Sequence, residues 1–159
     1  MPVPPYCVPK MSECEIKILP NAVLLSEAAG FLSSGMDVVI PVKGNSMLPF
    51  IRSGKDLVLL RSLDAVQEGD VVLALDSDGR YVLHRVIEAG GDGTFTLRGD
   101  GNLRGTETCR KEDIIGTAIE VKKPSGKTFS PRRDRNWQKL PLILRRVILA
   151  LYKRLFVNG

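Results

Sequence analysis

The sequence predicts a mainly β protein. Three observations carry that fold class. Short β-rich runs recur between residues 38 and 121, turn-forming clusters separate them, and 159 residues with 43% hydrophobic and 26% charged content suit one domain with a core. A short N-terminal helix and a C-terminal amphipathic helix flank the strands.

Residues 1–20 read as a Pro-rich arm. Met1 to Pro9 holds four prolines and no apolar run long enough for a signal peptide or a membrane span. Asn21 is the expected N-cap of a helix over roughly 22–34, in which Val23, Leu24, Ala28, Phe31 and Leu32 recur at helical spacing and Gly35 ends the run. Strands are expected at 38–42, 57–61, 71–75, 81–87, 95–98 and 114–121. The clusters Asp76-Ser77-Asp78-Gly79 and Gly90-Gly91-Asp92-Gly93 close two hairpins, so residues 71–98 form a three-stranded meander.

The catalytic-size domain is expected to span 21–121. Residues 122–136 change to Lys, Arg, Ser, Pro and Gly, as in a basic linker or exposed loop. Residues 137–159 read as an amphipathic basic helix with an apolar stripe of Leu140, Ile143, Leu144, Val147, Leu151 and Leu155, Pro141 being tolerated in its first turn.

Charge is unevenly spread. Residues 122–159 hold eleven Lys/Arg against Asp134 alone, while residues 1–121 hold twelve against seventeen acids. A tail of this kind meets nucleic acid, anionic lipid or an acidic partner. The helical apolar stripe favours an anionic membrane surface, and no nucleic-acid-binding motif is present; packing on the domain or on a second copy is the other reading of the helix. Three cysteines, Cys7, Cys14 and Cys109, have no C-x-x-C spacing and share the chain with one histidine, so no metal site, cofactor or disulfide framework is expected. Reduced thiols suit a cytoplasmic protein, peripheral on the inner face of the membrane, although Cys7 and Cys14 are near enough in sequence to pair under oxidising conditions.

The stretch Gly44-Asn45-Ser46-Met47-Leu48-Pro49 lies between two expected strands. A flexible glycine ahead of a serine exposes its hydroxyl, and Pro49 stiffens the loop behind it, so Ser46 is a candidate nucleophile. Most loop serines, however, are turn or capping groups. His84, the sole histidine, shares a strand face with Val82 and Val86. An imidazole takes up and releases protons near neutral pH, which suits it to accept the proton of a serine hydroxyl; a hydrogen-bonded structural histidine is the plain alternative. Asp100, in Arg98-Gly99-Asp100-Gly101-Asn102, is the first choice for the acid that orients the imidazole, with Glu107 and Asp113 in reserve. An aspartate between glycines is also a common turn residue. Asn45, Met47 and Pro49 make up the oxyanion and substrate loop, where main-chain N–H groups near Ser46 would hold the carbonyl oxygen.

In order along the chain, residues 44–56, Gly69-Asp70-Val71-Val72, Leu83-His84-Arg85-Val86, Arg98 to Asn102 and Asp113-Ile114-Ile115-Gly116 resemble the boxes of type I signal peptidases and the related self-cleaving repressors. In most bacterial members and in the repressors the base is lysine; this chain resembles the histidine branch of the endoplasmic-reticulum and archaeal-like enzymes. Two departures stand out: Lys55 separates Gly54 from Asp56, and Leu103-Arg104-Gly105-Thr106 replaces a second acidic cluster. The resemblance implies a β catalytic domain, a Ser-His mechanism and cleavage after small residues of a peptide bound extended as an added strand. Two rival readings are a non-catalytic peptide-binding or membrane-associated adaptor with the same fold, and a self-cleaving regulator cut at Ala29-Gly30.

Overall fold

The computed structural model describes residues 21–158. Its elements are α1 (Asn21–Ser33), β1 (Val38–Pro41), β2 (Leu57–Arg61), β3 (Val71–Leu75), β4 (Tyr81–Ala89), β5 (Thr94–Arg98), β6 (Glu107–Arg110), β7 (Ile114–Lys122), β8 (Thr128–Phe129) and α2 (Leu142–Phe156). The strands form one antiparallel sheet in the order β1-β2-β7-β3-β4-β5-β6, with β8 also on β7. The fold is mainly β with a helix at either end.

Side-chain alternation divides the sheet between two cores. On β3, Val71 and Leu73 join the core under α1, whereas Val72 and Ala74 face a second core with Val86, Phe95, Leu97 and Cys109. Register shifts at Leu59/Leu60, Leu73/Ala74 and Val86/Glu88 add local twist. The sheet curls far enough that the Ser77 N–H, in the β3–β4 turn, donates to the Thr108 carbonyl on β6 at 3.1 Å.

The helix α1 buries Leu25, Ala28 and Leu32, and Gly116 on β7 lets Leu32 lie against the strand: a Cβ there would be 3.0 Å from Leu32 Cδ1. Val23 and Phe31, expected on the buried stripe, are exposed. The i, i+3, i+7 set of Leu25, Ala28 and Leu32 is the row that meets the sheet. Gly35 ends the helix with φ +84°, and Met36 N–H returns to the Phe31 carbonyl.

The expected strands and the meander are present, and two further strands accompany them. β6 escaped the sequence reading because Glu107-Thr108-Cys109-Arg110 is mostly polar and offers little apolar signal; β8 is only two residues long. Residues 122–136, expected as a linker or exposed loop, are docked. The Lys123 N–H and Lys127 carbonyl close a turn into β8, Phe129 pairs with Val121, and buried Pro131 gives its carbonyl to the Arg85 guanidinium at 3.0 Å. Basic residues need not mean a solvated segment here, because Arg132 reaches Asp70 and Lys123 reaches Asp56. The arm of residues 1–20, with Cys7 and Cys14, lies outside the described residues.

Cys109 is buried opposite Phe95, and burial, aided by the charge of Asp113, pushes its thiol up to about 11. A raised folded value favours the protonated thiol, so this contribution to stability is complete below the unfolded value of about 8.5 and is lost as pH rises through about 11. In a Cys7→Ser, Cys14→Ser protein, a thiol-reactive chromogenic disulfide at about pH 8 should find no reactive thiol in the folded state and a full equivalent in urea. Rapid native labelling would contradict this placement of Cys109.

Candidate active site

The loop after β1 is held at several points. Val42 N–H donates to Asp56 carbonyl, Gly54 N–H to Val42 carbonyl at 2.9 Å, and Gly44 N–H to Ser53 Oγ at 3.0 Å. Gly44 and Gly54 both take positive φ, which only glycine adopts without strain. Fully buried Asp56 accepts from Arg52 N–H at 2.7 Å and from Lys123 Nζ at 2.6 Å, and Lys123 also donates to the Phe50 carbonyl. The Leu48-Pro49 peptide is cis.

Ser46 is carried just ahead of two anchors. Met47 is buried with the α1 core and Leu48 with Trp137 and Leu149, so the two residues that follow Ser46 are pulled into separate cores. Met47, expected in the substrate loop, therefore contributes its main chain there while its side chain is 1% exposed. Asn45 is exposed and Pro49 half-buried.

The turn after β5 sets the position of Ser46. Gly101 N–H donates to the Ser46 carbonyl at 2.7 Å. A Cβ on Gly99 would lie 3.0 Å from Ser46 Cβ and would collide with its carbonyl oxygen; one on Gly101 would lie 2.6 Å from the Asn45 carbonyl oxygen. Both glycines are thus required for the loop to sit on this turn. β4 and β5 pair Arg85 with Arg98 and Val86 with Leu97. Continuing the register by one residue sets Gly99 opposite His84, on the face shared by Val86 and Leu97. The Ser46 main chain and Cβ fill the space that a side chain at residue 99 would take.

His84 is 5% exposed, and its Nδ1 lies 2.9 Å from Glu107 Oε2. A carboxylate only accepts, so Nδ1–H donates, and in a neutral ring that leaves the lone pair on Nε2. Glu107 reaches the ring because β6 pairs it with Leu97, on the same face as His84. Among the described residues no hydrogen bond joins Ser46 to His84; such bonds are often long without substrate.

Asp100, the first choice for the orienting acid, points the other way. Adjacent residues of a strand face opposite sides, and Asp100 meets Arg85 rather than His84. Arg85 Nε and Nη2 donate to its two oxygens at 2.8 and 2.6 Å, both side chains being almost fully buried. Arg85 Nη1 donates to the Gly69 and Pro131 carbonyls, while Gln138 Nε2 and Trp137 Nε1 donate to the Asp100 carboxylate and carbonyl at 3.1 and 2.7 Å. The acid placed on His84 is Glu107, the first reserve. Asp113 instead accepts from Arg110 N–H at 3.1 Å.

A curled antiparallel sheet that carries a loop serine on the turn after β5 and a histidine paired with a carboxylate is a fold of the serine-peptidase type. The family model described as Peptidase S24-like matches residues 16–119, and the chain belongs to that family. No curated protein matches the sequence.

Removing one partner of the Arg85–Asp100 pair leaves a buried charge uncompensated. Asp100→Ala should cost about 3–5 kcal/mol in urea unfolding, whereas Glu107→Gln, at a partly exposed residue, should cost less than about 1 kcal/mol. Equal midpoint shifts for the two would contradict this division of roles.

Proposed function

We propose that the protein is a serine endopeptidase resembling the histidine branch of signal peptidases. Ser46 is the nucleophile, His84 its general base and Glu107 the acid that orients the base. The observation that carries this reading is the 2.9 Å contact between Glu107 and His84 Nδ1 on the strand face against which Ser46 is set. Holding Nδ1 protonated aims the free Nε2 outward as the proton acceptor. Proton transfer from Ser46 Oγ to Nε2 accompanies attack on the peptide carbonyl; His84 then returns the proton to the leaving amine, and water releases the acyl group by the reverse sequence.

The main-chain N–H groups of Ser46 and Met47 have no protein acceptor among the described residues, which supports them as donors to the carbonyl oxygen. Removing such a donor typically lowers kcat by about 10²–10³. The substrate adds as a strand beside β1, an outer strand of the sheet that among the described residues pairs only with β2 and leads straight into the Ser46 loop. Next to it, Ile40, Pro41, Val42, Leu73, Tyr81 and Leu83 line a cavity of about 60 Å³, a size that favours small side chains. The bond Ala29-Gly30 lies inside α1, which weighs against its being cut by this chain's own site and supports a substrate taken in trans.

A fluorophosphonate probe should label the wild-type protein and fail to label Ser46→Ala and His84→Ala. Glu107→Gln should lower turnover of a peptide with small residues before the cut by about 10²–10⁴, with folding unchanged. A wild-type protein that takes no label would end the catalytic reading and leave the non-catalytic adaptor, and labelling that survives Ser46→Ala would end the assignment of Ser46 as nucleophile.

A further inference from the structure

The C-terminal helix presents an arrangement opposite to that expected of a packed amphipathic helix. Its stripe of Ile143, Leu144, Val147, Leu151 and Leu155 does not face the domain: these residues are between 45% and 78% exposed. The side that docks is Arg145, Leu149 and the half-buried Ile148 and Tyr152, against Leu48, Phe50 and Trp137. α2 is therefore apolar on its outer side while already fully seated on its inner side.

The occupant of that outer side is narrowed by charge. Arg146, Lys153 and Arg154 are exposed on the same helix, and no acid occurs anywhere from residue 135 to 159. A second copy of this face would bring like charges together. A nucleic acid would meet the cations but leave the leucines in water. An anionic bilayer surface satisfies both, with leucine and valine side chains entering the acyl boundary and the long basic side chains reaching lipid phosphates. The helix has 15 residues, and no described helix is long and apolar enough to cross a membrane, so it lies along the surface.

We propose that the outer face of α2 docks the protein on an anionic membrane surface. The inner face of the same helix packs on Leu48, two residues from Ser46, so docking holds the candidate active site beside the lipid headgroups. The inference does not depend on catalysis, and Ser46→Ala should bind vesicles like the wild type.

The test is co-sedimentation of the full chain with vesicles of phosphatidylcholine alone and of phosphatidylcholine with phosphatidylglycerol at about 3:1. The anionic vesicles should bind on the order of a hundredfold more tightly, with the difference shrinking in high salt. Val147→Ser with Leu151→Ser, both at exposed positions, should weaken binding at least about tenfold while circular dichroism and the urea midpoint stay unchanged. Arg146→Glu with Lys153→Glu should abolish the preference for anionic lipid. Failure to bind anionic vesicles, or equal binding by the Val147→Ser, Leu151→Ser protein, would overturn the proposal. So would a light-scattering dimer that this double variant converts to monomer while vesicle binding is absent, because a second copy would then be the occupant.

Discussion

The position of Ser46 depends on one turn that lacks side chains where it meets the loop. Gly99 and Gly101 let the Ser46 main chain rest directly on the end of β5, and Gly101 N–H fixes its carbonyl. Between them, Asp100 turns into the protein and is bound on both oxygens by Arg85. The turn therefore cannot move without breaking a buried ion pair, and a residue larger than glycine at 99 would displace the loop. A buried pair of this kind is weak evidence for net stability, but it holds a single geometry strongly because either charge alone is costly.

His84 and Arg85 show how strand alternation separates two tasks. Neighbours in sequence, they face opposite sides of β4, with His84 towards Glu107 and Arg85 towards Asp100. Arg85 uses Nη1 on the Gly69 and Pro131 carbonyls as well, so one guanidinium ties together the β3 approach, the β5 turn and the segment after β8. Its fork shape suits it to this; a lysine ammonium could not span those acceptors in one plane. The histidine is left with one carboxylate.

Much of this was legible in the sequence, and the parts that were not share a cause. Six strands, both hairpin turns and Gly35 followed from local pattern, because alternation and turn chemistry act within a few residues. Ser46 and His84 were recognisable as candidates from residue type and order. Glu107 could not be preferred over Asp100 without knowing that β6 exists and pairs with β5, since only that register carries it across to His84. The two glycines beside Asp100 read as a turn signal, and they do matter, but for the close approach of Ser46. The periodicity of residues 140–155 was likewise real while its direction was not readable: Leu149 and Tyr152 lie outside that stripe, yet they are the ones that meet Leu48 and Trp137.

That reversal has a physical basis in what the domain offers the helix. The surface beneath α2 is small, made of Leu48, Phe50 and Leu103 around the Trp137 ring, which stands edge-on to Phe50 at 5.3 Å between centroids. Arg145 is also drawn under the helix, donating to Gln138 Oε1 at 2.8 Å, with burial and the nearby Arg98 pulling its basicity down. Gln138 passes the contact on to the Asp100 carboxylate. The inner face is thus chosen by a polar chain that ends at the Ser46 turn, and a wider apolar stripe would have no groove of matching length to enter. Seating α2 by its narrow side gives Arg145 Nη1 a partner in Gln138, though Arg145 Nε has none among the described residues, and leaves the larger hydrophobic side outward. Any partner taken up there presses on an element that is continuous, through Leu149 and Leu48 on one path and Arg145, Gln138 and Asp100 on another, with the loop that carries Ser46.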